Sequence, residues 1–257
     1  TSTGGESNAR FLVQKISTWK GRYERVFALT DTALVNIDPS NWKVTNNWPF
    51  DEAVKDFNPS VAADTEFSVV VREGRKNNVL KFACEDRTAL LCALQRAMCN
   101  AKEHHERKFM GIKFTRQHTR KDCTLEAHPA ALKYYERDGT FISEIRYDHI
   151  TSLQPVSDEG SSFVIHSVGR PRMFATPDRN EFLSGLAKHL TKLGLGNVVS
   201  TEAISTGEYR AQRLRYGNEN HAKLAEFEVL KRTHRYPTPI NRKLIVTETA
   251  LVERDAT

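Results

Sequence analysis

No run of about 18 apolar residues occurs in this chain, so nothing in it is long enough to cross a membrane as a helix. The start, Thr1 to Arg10, is polar and lacks the apolar centre of a signal peptide. Residues 1–8 therefore read as a flexible leader. Cysteine is scarce: the four are Cys84, Cys92, Cys99 and Cys123, and no two stand at CxxC spacing. No disulfide framework is expected, which fits a reducing compartment. The nine histidines are scattered. His118, Cys123 and His128 lack a fourth ligand at suitable spacing, so no metal site is expected.

Catalytic signatures are missing too. There is no phosphate loop after a strand, no Ser-His-Asp arrangement and no paired-carboxylate motif. The glycines of Leu193-Gly194-Leu195-Gly196-Asn197 follow a helical pattern rather than a strand, so they are not a dinucleotide loop. The chain reads as a binding protein, not an enzyme, and no cofactor is expected. Aromatics interleaved with cations form no stripe, so nucleic acid is not an expected partner.

What the chain does have is charge and a repeat. Lys and Arg number 38 against 32 Asp and Glu, a formal +6 that favours anionic partners without choosing among them. At an offset of 92, Leu80-Lys81-Phe82-Ala83-Cys84-Glu85-Asp86-Arg87 aligns with Arg172-Met173-Phe174-Ala175-Thr176-Pro177-Asp178-Arg179. Each reads as a short strand ending in Phe-Ala, then Asp-Arg at a helix start. The acid suits the positive end of the helix dipole, and Pro177 suits the first turn. Leu90, Leu94, Ala97, Met98 and Ala101 form an apolar stripe on the first helix. Phe182, Leu183, Leu186, Leu190 and Leu193 do so on the second. Gly194 and Gly196 supply the second helix's stop. A further match pairs Phe11 to Lys15 with Phe227 to Lys231, and Phe27 to Val35 with Ile245 to Val252. A third copy therefore opens near Leu224.

Before each helix the pattern is of short strands. The first unit reads as strands over 11–16, 22–29, 33–37, 44–48, 66–71 and 79–83. The second reads as strands over 112–116, 123–127, 132–136, 141–145, 151–154, 163–167 and 172–175, with Asp138-Gly139 as a hairpin signal. About seven strands and one amphipathic C-terminal helix make a bent antiparallel barrel plugged by its helix. The fold class is α+β. Residues 9–103 and 104–195 are the two domains. Residues 196–223 form a polar linker with a weak helical pattern over 202–214, and 224–257 begin the third copy.

The sharpest segment for function is Lys15-Ile16-Ser17-Thr18-Trp19-Lys20-Gly21-Arg22-Tyr23-Glu24-Arg25. Five basic residues and one acid lie between Arg10 and Arg25. Lys15 and Lys20 flank the turn between the first two strands, and Arg22, Tyr23 and Arg25 open the second. Cations converging on one loop suit a phosphate, with Arg forking to two oxygens and Lys acting as a point charge. Trp19 beside the turn suits a headgroup-level anchor. The competing reading buries Trp19 over the barrel mouth and Tyr23 in the core. Arg116, Arg120 and Lys121 form a secondary basic patch at the first hairpin of the second unit, with no Trp beside them.

The same residues carry a family resemblance. Trp19-Lys20-Gly21-Arg22-Tyr23 resembles the opening of the second strand in pleckstrin-homology (PH) domains. With Val44-Thr45-Asn46-Asn47-Trp48-Pro49, Thr65-Glu66-Phe67, Leu224-Ala225-Glu226-Phe227 and Ala250 to Asp255, it is similar to the N-terminal region of the receptor-mediated endocytosis protein 8 family. These are endosomal J-domain proteins with a gravitropism-defective plant relative. The resemblance implies tandem PH-like domains, the first reading phosphatidylinositol 3-phosphate through residues matching Lys15, Trp19 and Tyr23. It implies a cytoplasmic protein peripheral on early endosomes, with endosomal sorting proteins as partners. Hsp70 would be a partner only through a J domain outside this sequence. A PH-like protein-docking scaffold with no direct lipid binding is the alternative.

Overall fold

The computed structural model describes residues 9–102, 106–115, 118–168, 171–215, 223–233, 238–247 and 251–255. The proposed leader lies outside them, as does Arg116. Residues 1–206 form one compact unit and 207–257 another.

The first unit holds two copies of one architecture. In the first copy the strands are β1 (Ala9–Ser17), β2 (Gly21–Leu29), β3 (Ala33–Ile37), β4 (Val44–Pro49), β5 (Val54–Pro59), β6 (Glu66–Glu73) and β7 (Lys76–Ala83), followed by α1 (Arg87–Asn100). They form one antiparallel sheet of order β4-β3-β2-β1-β7-β6-β5. β1 meets β7 only through Gln14, Lys15 and Ile16, the point where the sheet bends into its barrel. The second copy runs β8 (Lys108–Phe114), β9 (Arg120–His128), β10 (Ala131–Tyr135), β11 (Phe141–Arg146), β12 (Ile150–Pro155), β13 (Ser162–Ser167), β14 (Arg172–Ala175) and α2 (Arg179–Lys192), with the order β11-β10-β9-β8-β14-β13-β12. Two seven-stranded antiparallel sheets, each followed by a helix, give the tandem α+β architecture expected from the sequence.

The period-2 pattern explains the strands. On β2 the inward face carries Phe27 and Leu29, on β6 Phe67, Val69 and Val71. The helical stripe places Leu90 and Leu94 of α1, and Phe182, Leu186 and Leu190 of α2, fully inside. Burial of each such side chain contributes on the order of 1.5–3 kcal/mol before entropy. One continuous apolar cluster runs from Val13 and Phe27 through Leu91 and Cys92 to Tyr147 and Phe182, so the two domains share an interior. α1 packs against the short 3-10 turn Tyr147–His149 of the second domain, and Arg96 ion-pairs with Glu144 at 2.9 Å. Lys192 of α2 ion-pairs with Asp56 on β5 and stands over the Phe57 ring.

Two details differ from the sequence reading. β5 does not appear in it: Val54-Lys55-Asp56-Phe57-Asn58-Pro59 has turn-like composition, and a bulge between Val54 and Asp56 breaks its alternation. Asp86 and Asp178 are N-caps without a side-chain cap bond, and Pro177 precedes the cap rather than lying in the first turn. Gly194 does end α2. At φ +79° it lets its N–H donate to Thr191 O and that of Leu195 to Leu190 O, a Schellman motif.

α3 (Thr206–Arg215) begins at the last residue of the first unit. β15 (Lys223–Lys231), β16 (Ile240–Thr247) and β17 (Leu251–Asp255) then form a three-stranded sheet in that order. The linker's helical pattern therefore becomes a helix that starts later, at Thr206.

Candidate functional site

The β1–β2 hairpin pairs Lys15 with Tyr23, Ile16 with Arg22 and Ser17 with Gly21. Gly21 takes φ +66°, a left-handed conformation that side chains disfavour, and so closes the turn. Ser17 Oγ accepts from the N–H groups of Trp19 and Lys20 at 3.4 Å each. The tip is thereby held by its own first residue.

Alternation fixes which way each side chain faces. Val13, Lys15, Tyr23, Arg25 and Phe27 share the inward face of the sheet. Val13 and Phe27 are buried, Lys15, Tyr23 and Arg25 are half-buried, and Trp19 and Lys20 stand in water. The core thus grades outward into a cationic mouth. Trp19 is 95% exposed, so it does not cover the barrel.

The four cations divide into two kinds. Arg25 lies over the Tyr23 ring, 4.6 Å from its centroid, and approaches Asp38 at 3.4 Å. Ser40 hydrogen bonds, side chain first, hold the Asp38 carboxyl below its ordinary range, and the Arg25 charge adds to this. Arg22, on the other face, pairs with Glu66 at 2.5 Å. Among the described residues, Lys15 and Lys20 have no acidic partner. Arg22 and Arg25 therefore brace the hairpin, while Lys15 and Lys20 carry charge that no described acid matches.

Register brings two more turns to this end. Val26 pairs with Ile37, which places the β3–β4 turn beside the start of β2. Ile16 pairs with Lys81 and Gln14 with Ala83, so the β6–β7 turn lies at the same end. The first turn presents Trp42, 62% exposed at φ +57°, next to exposed Lys43. The second presents exposed Arg75 and Lys76. Sequence reading missed all four. Trp42 alone had a signal, standing beside Lys43 in a turn as Trp19 stands beside Lys20.

In the second domain, Arg120 pairs with Glu159 at 2.9 Å, and Lys121 is exposed opposite Lys113. Lys113 is committed to Tyr134, donating to its hydroxyl at 3.1 Å. Arg137 at the neighbouring turn pairs with Asp122. This end mixes both signs of charge. A groove of about 380 Å³ lies elsewhere on this domain, between α2 and the chain leading into β8, and Arg107 crosses it to Glu181.

Cys123 sits buried on β9, its thiol pushed up to about 11 chiefly by burial, while His128 Nδ1 accepts from Ala130 N–H. Among the described residues no three His, Cys, Asp or Glu side chains are grouped to hold a metal.

Residues 10–101 match the family model described as the DNAJ protein RME-8 N-terminal domain, and residues 109–193 match that of the DNAJ protein RME-8 2nd domain. DnaJ homolog subfamily C GRV2 of Arabidopsis thaliana is 32% identical over 114 residues, covering 39% of this chain. The match spans 4% of that relative's own length. Among solved structures, the Slm1-PH domain in complex with inositol-4-phosphate is 11% identical with a TM-score of 0.31. The match covers 38% of this chain and 100% of that one. A second Slm1-PH structure is 12% identical with a TM-score of 0.30 and the same coverage.

Proposed function

The chain belongs to the RME-8 family of DNAJ proteins, of which it carries the N-terminal and second domains, and we propose that its first domain holds the protein on early endosomes by reading a phosphoinositide. The headgroup this reading favours is phosphatidylinositol 3-phosphate. The observation that carries it is Trp19, 95% exposed on a hairpin tip between two lysines without acidic partners. Lys15 and Lys20 supply point charges for the phosphates, Tyr23 lies opposite Lys15 on the same face, and the indole enters the headgroup layer. Arg22 and Arg25 set the hairpin's shape. Trp42 with Lys43, and Arg75 with Lys76, add a second and a third contact to the same surface.

Each lysine near an anionic surface contributes roughly 1 kcal/mol, so the hairpin alone binds weakly. Further contacts on one rigid face raise the effective concentration of the rest. Arg120 and Lys121 of the second domain would add such contacts where geometry allows. Endosomal sorting proteins would then be met at that membrane, and Hsp70 through a J domain elsewhere in the protein. The three-stranded sheet of β15, β16 and β17 is the opening of a third PH-like domain in this reading.

The test is co-sedimentation with phosphatidylcholine vesicles, with and without the 3-phosphoinositide. Binding should need the phosphoinositide, and Trp19→Ala or Lys20→Ala should each weaken it at least about fivefold. Sedimentation unchanged by both substitutions would reject the site. No sedimentation of the parent chain would favour the protein-docking scaffold.

A further inference from the structure

β12 is the last strand of the second sheet, and its outer edge has no strand partner. An open edge presents unpaired N–H and C=O groups, and these invite an extended peptide. Here the chain supplies one itself. After the Schellman turn and a 3-10 turn at Gly196–Val198, the segment 199–206 runs parallel to β12, with bridges Leu153 to Val199 and Val156 to Ile204. Ser200 N–H donates to Leu153 O at 2.9 Å, Ile204 N–H to Pro155 O at 3.0 Å, and Ser157 N–H to Ile204 O at 3.0 Å. Ile204 is buried, and the Thr206 N–H and hydroxyl both donate to Asp158, at 2.8 and 2.9 Å.

Two features separate this from an ordinary eighth strand. The bridges are three residues apart along β12 and the residue just after it but five apart on the segment, so Thr201, Glu202 and Ala203 arch into solvent between two points of attachment. The first domain has the same sheet order, yet among the described residues nothing bridges to the outer edge of β5, its counterpart of β12. The fold therefore does not require an added strand at this position.

We propose that the outer edge of β12 is a peptide-docking groove and that residues 199–206 are its occupant in cis. The groove takes an extended segment with two aliphatic side chains five positions apart, followed by a threonine or serine for Asp158. It stands apart from the lipid hairpin and does not depend on it.

The probe is a fluorescent peptide with the sequence of residues 197–208, added to the whole chain and followed by polarisation. The chain carrying Val199→Ser and Ile204→Ser should bind it saturably, and the unaltered chain at least about tenfold more weakly, because its own segment competes. A peptide carrying Ile204→Ser should not bind. A folded double variant that ignores the peptide would overturn the proposal. Hydrogen exchange on the unaltered chain gives a reading independent of that variant. The amides of Ser200 and Ile204 should exchange at least about tenfold faster than those of Phe163 and Ile165 in β13, reporting local release. Equal rates would make the segment an integral strand and end the proposal, whatever the variant does.

Discussion

Arg87 and Arg179 hold the same post in the two domains. Each is the first residue of its helix, and each guanidinium reaches back to carbonyls of the loop after the fifth strand. Arg87 Nη1 donates to Ser60, Ala63 and Glu66 O at 2.8 to 3.0 Å. Arg179 Nη1 donates to Val156 and Ser162 O at 3.1 and 3.2 Å. The repeated Asp-Arg thus owes its place to the arginine as a loop clamp, while the aspartate makes no cap bond.

Arg87→Lys should therefore destabilise the chain although it keeps the charge. Arg87 is buried, and an ammonium on a narrower stem leaves some of three inward-facing carbonyls without a donor. A loss of about 1–3 kcal/mol is expected from the urea midpoint. A change inside 0.3 kcal/mol, on the order of measurement scatter, would remove the clamp from the stability argument.

The division of the hairpin's cations can be measured. Lys20→Gln and Lys15→Gln should each weaken vesicle binding about fivefold, from roughly 1 kcal/mol per lysine. Arg22→Gln should weaken it less, since its charge is already matched by Glu66. Sedimentation at rising salt should show the lysine contribution fading as the Debye length shrinks. Equal losses for Arg22 and Lys20 would refute the division.

Gly111 tests packing in the second domain. A Cβ there would lie 2.8 Å from Leu125 Cδ1 and 3.0 Å from Ala175 O, and the carbonyl is backbone held in a sheet. Gly111→Ala should cost about 1–3 kcal/mol through overpacking, read from thermal or urea unfolding. Gly160→Ala, with open space around it, is the matched control.

The buried thiols set an alkaline limit. Burial, with the Asp148 charge second, pushes Cys92 from its ordinary 9.0 up to about 12, and burial raises Cys123 to about 11. A raised thiol pKa means that the folded chain keeps protons which the unfolded chain has released. The stabilising contribution is complete below pH 9 and is lost as pH rises toward the folded values. The urea midpoint should fall between about pH 9 and 11, and Cys92→Val should flatten that fall. A flat profile in the parent chain would contradict it.

Much of the frame was legible because the repeat is carried by core side chains. Phe82 and Phe174 fill equivalent buried sites, and Leu90 and Leu186 face inward on equivalent helices. β5 was hidden because edge strands carry Asp, Asn and Pro without penalty. Lys15, Trp19 and Lys20 were readable as a cluster because they are adjacent in the chain. Trp42 and Arg75 join that cluster only through strand register, which no local window contains. The docking of residues 199–206 on β12 was illegible for the same reason. Val199 and Ile204 look like stray apolar residues in a polar stretch until the edge they cover is known.

α1 roofs one barrel and buttresses the other: Cys92 lies against Asp148, and Arg96 reaches Glu144. Severing the chain just after Asn100 would strip that flank and leave an oily, half-neutralised seam open to water, so the front barrel alone is a poor reagent for biochemistry. Kept whole, the two barrels shield that seam between them, and neither has to be resurfaced to survive in water.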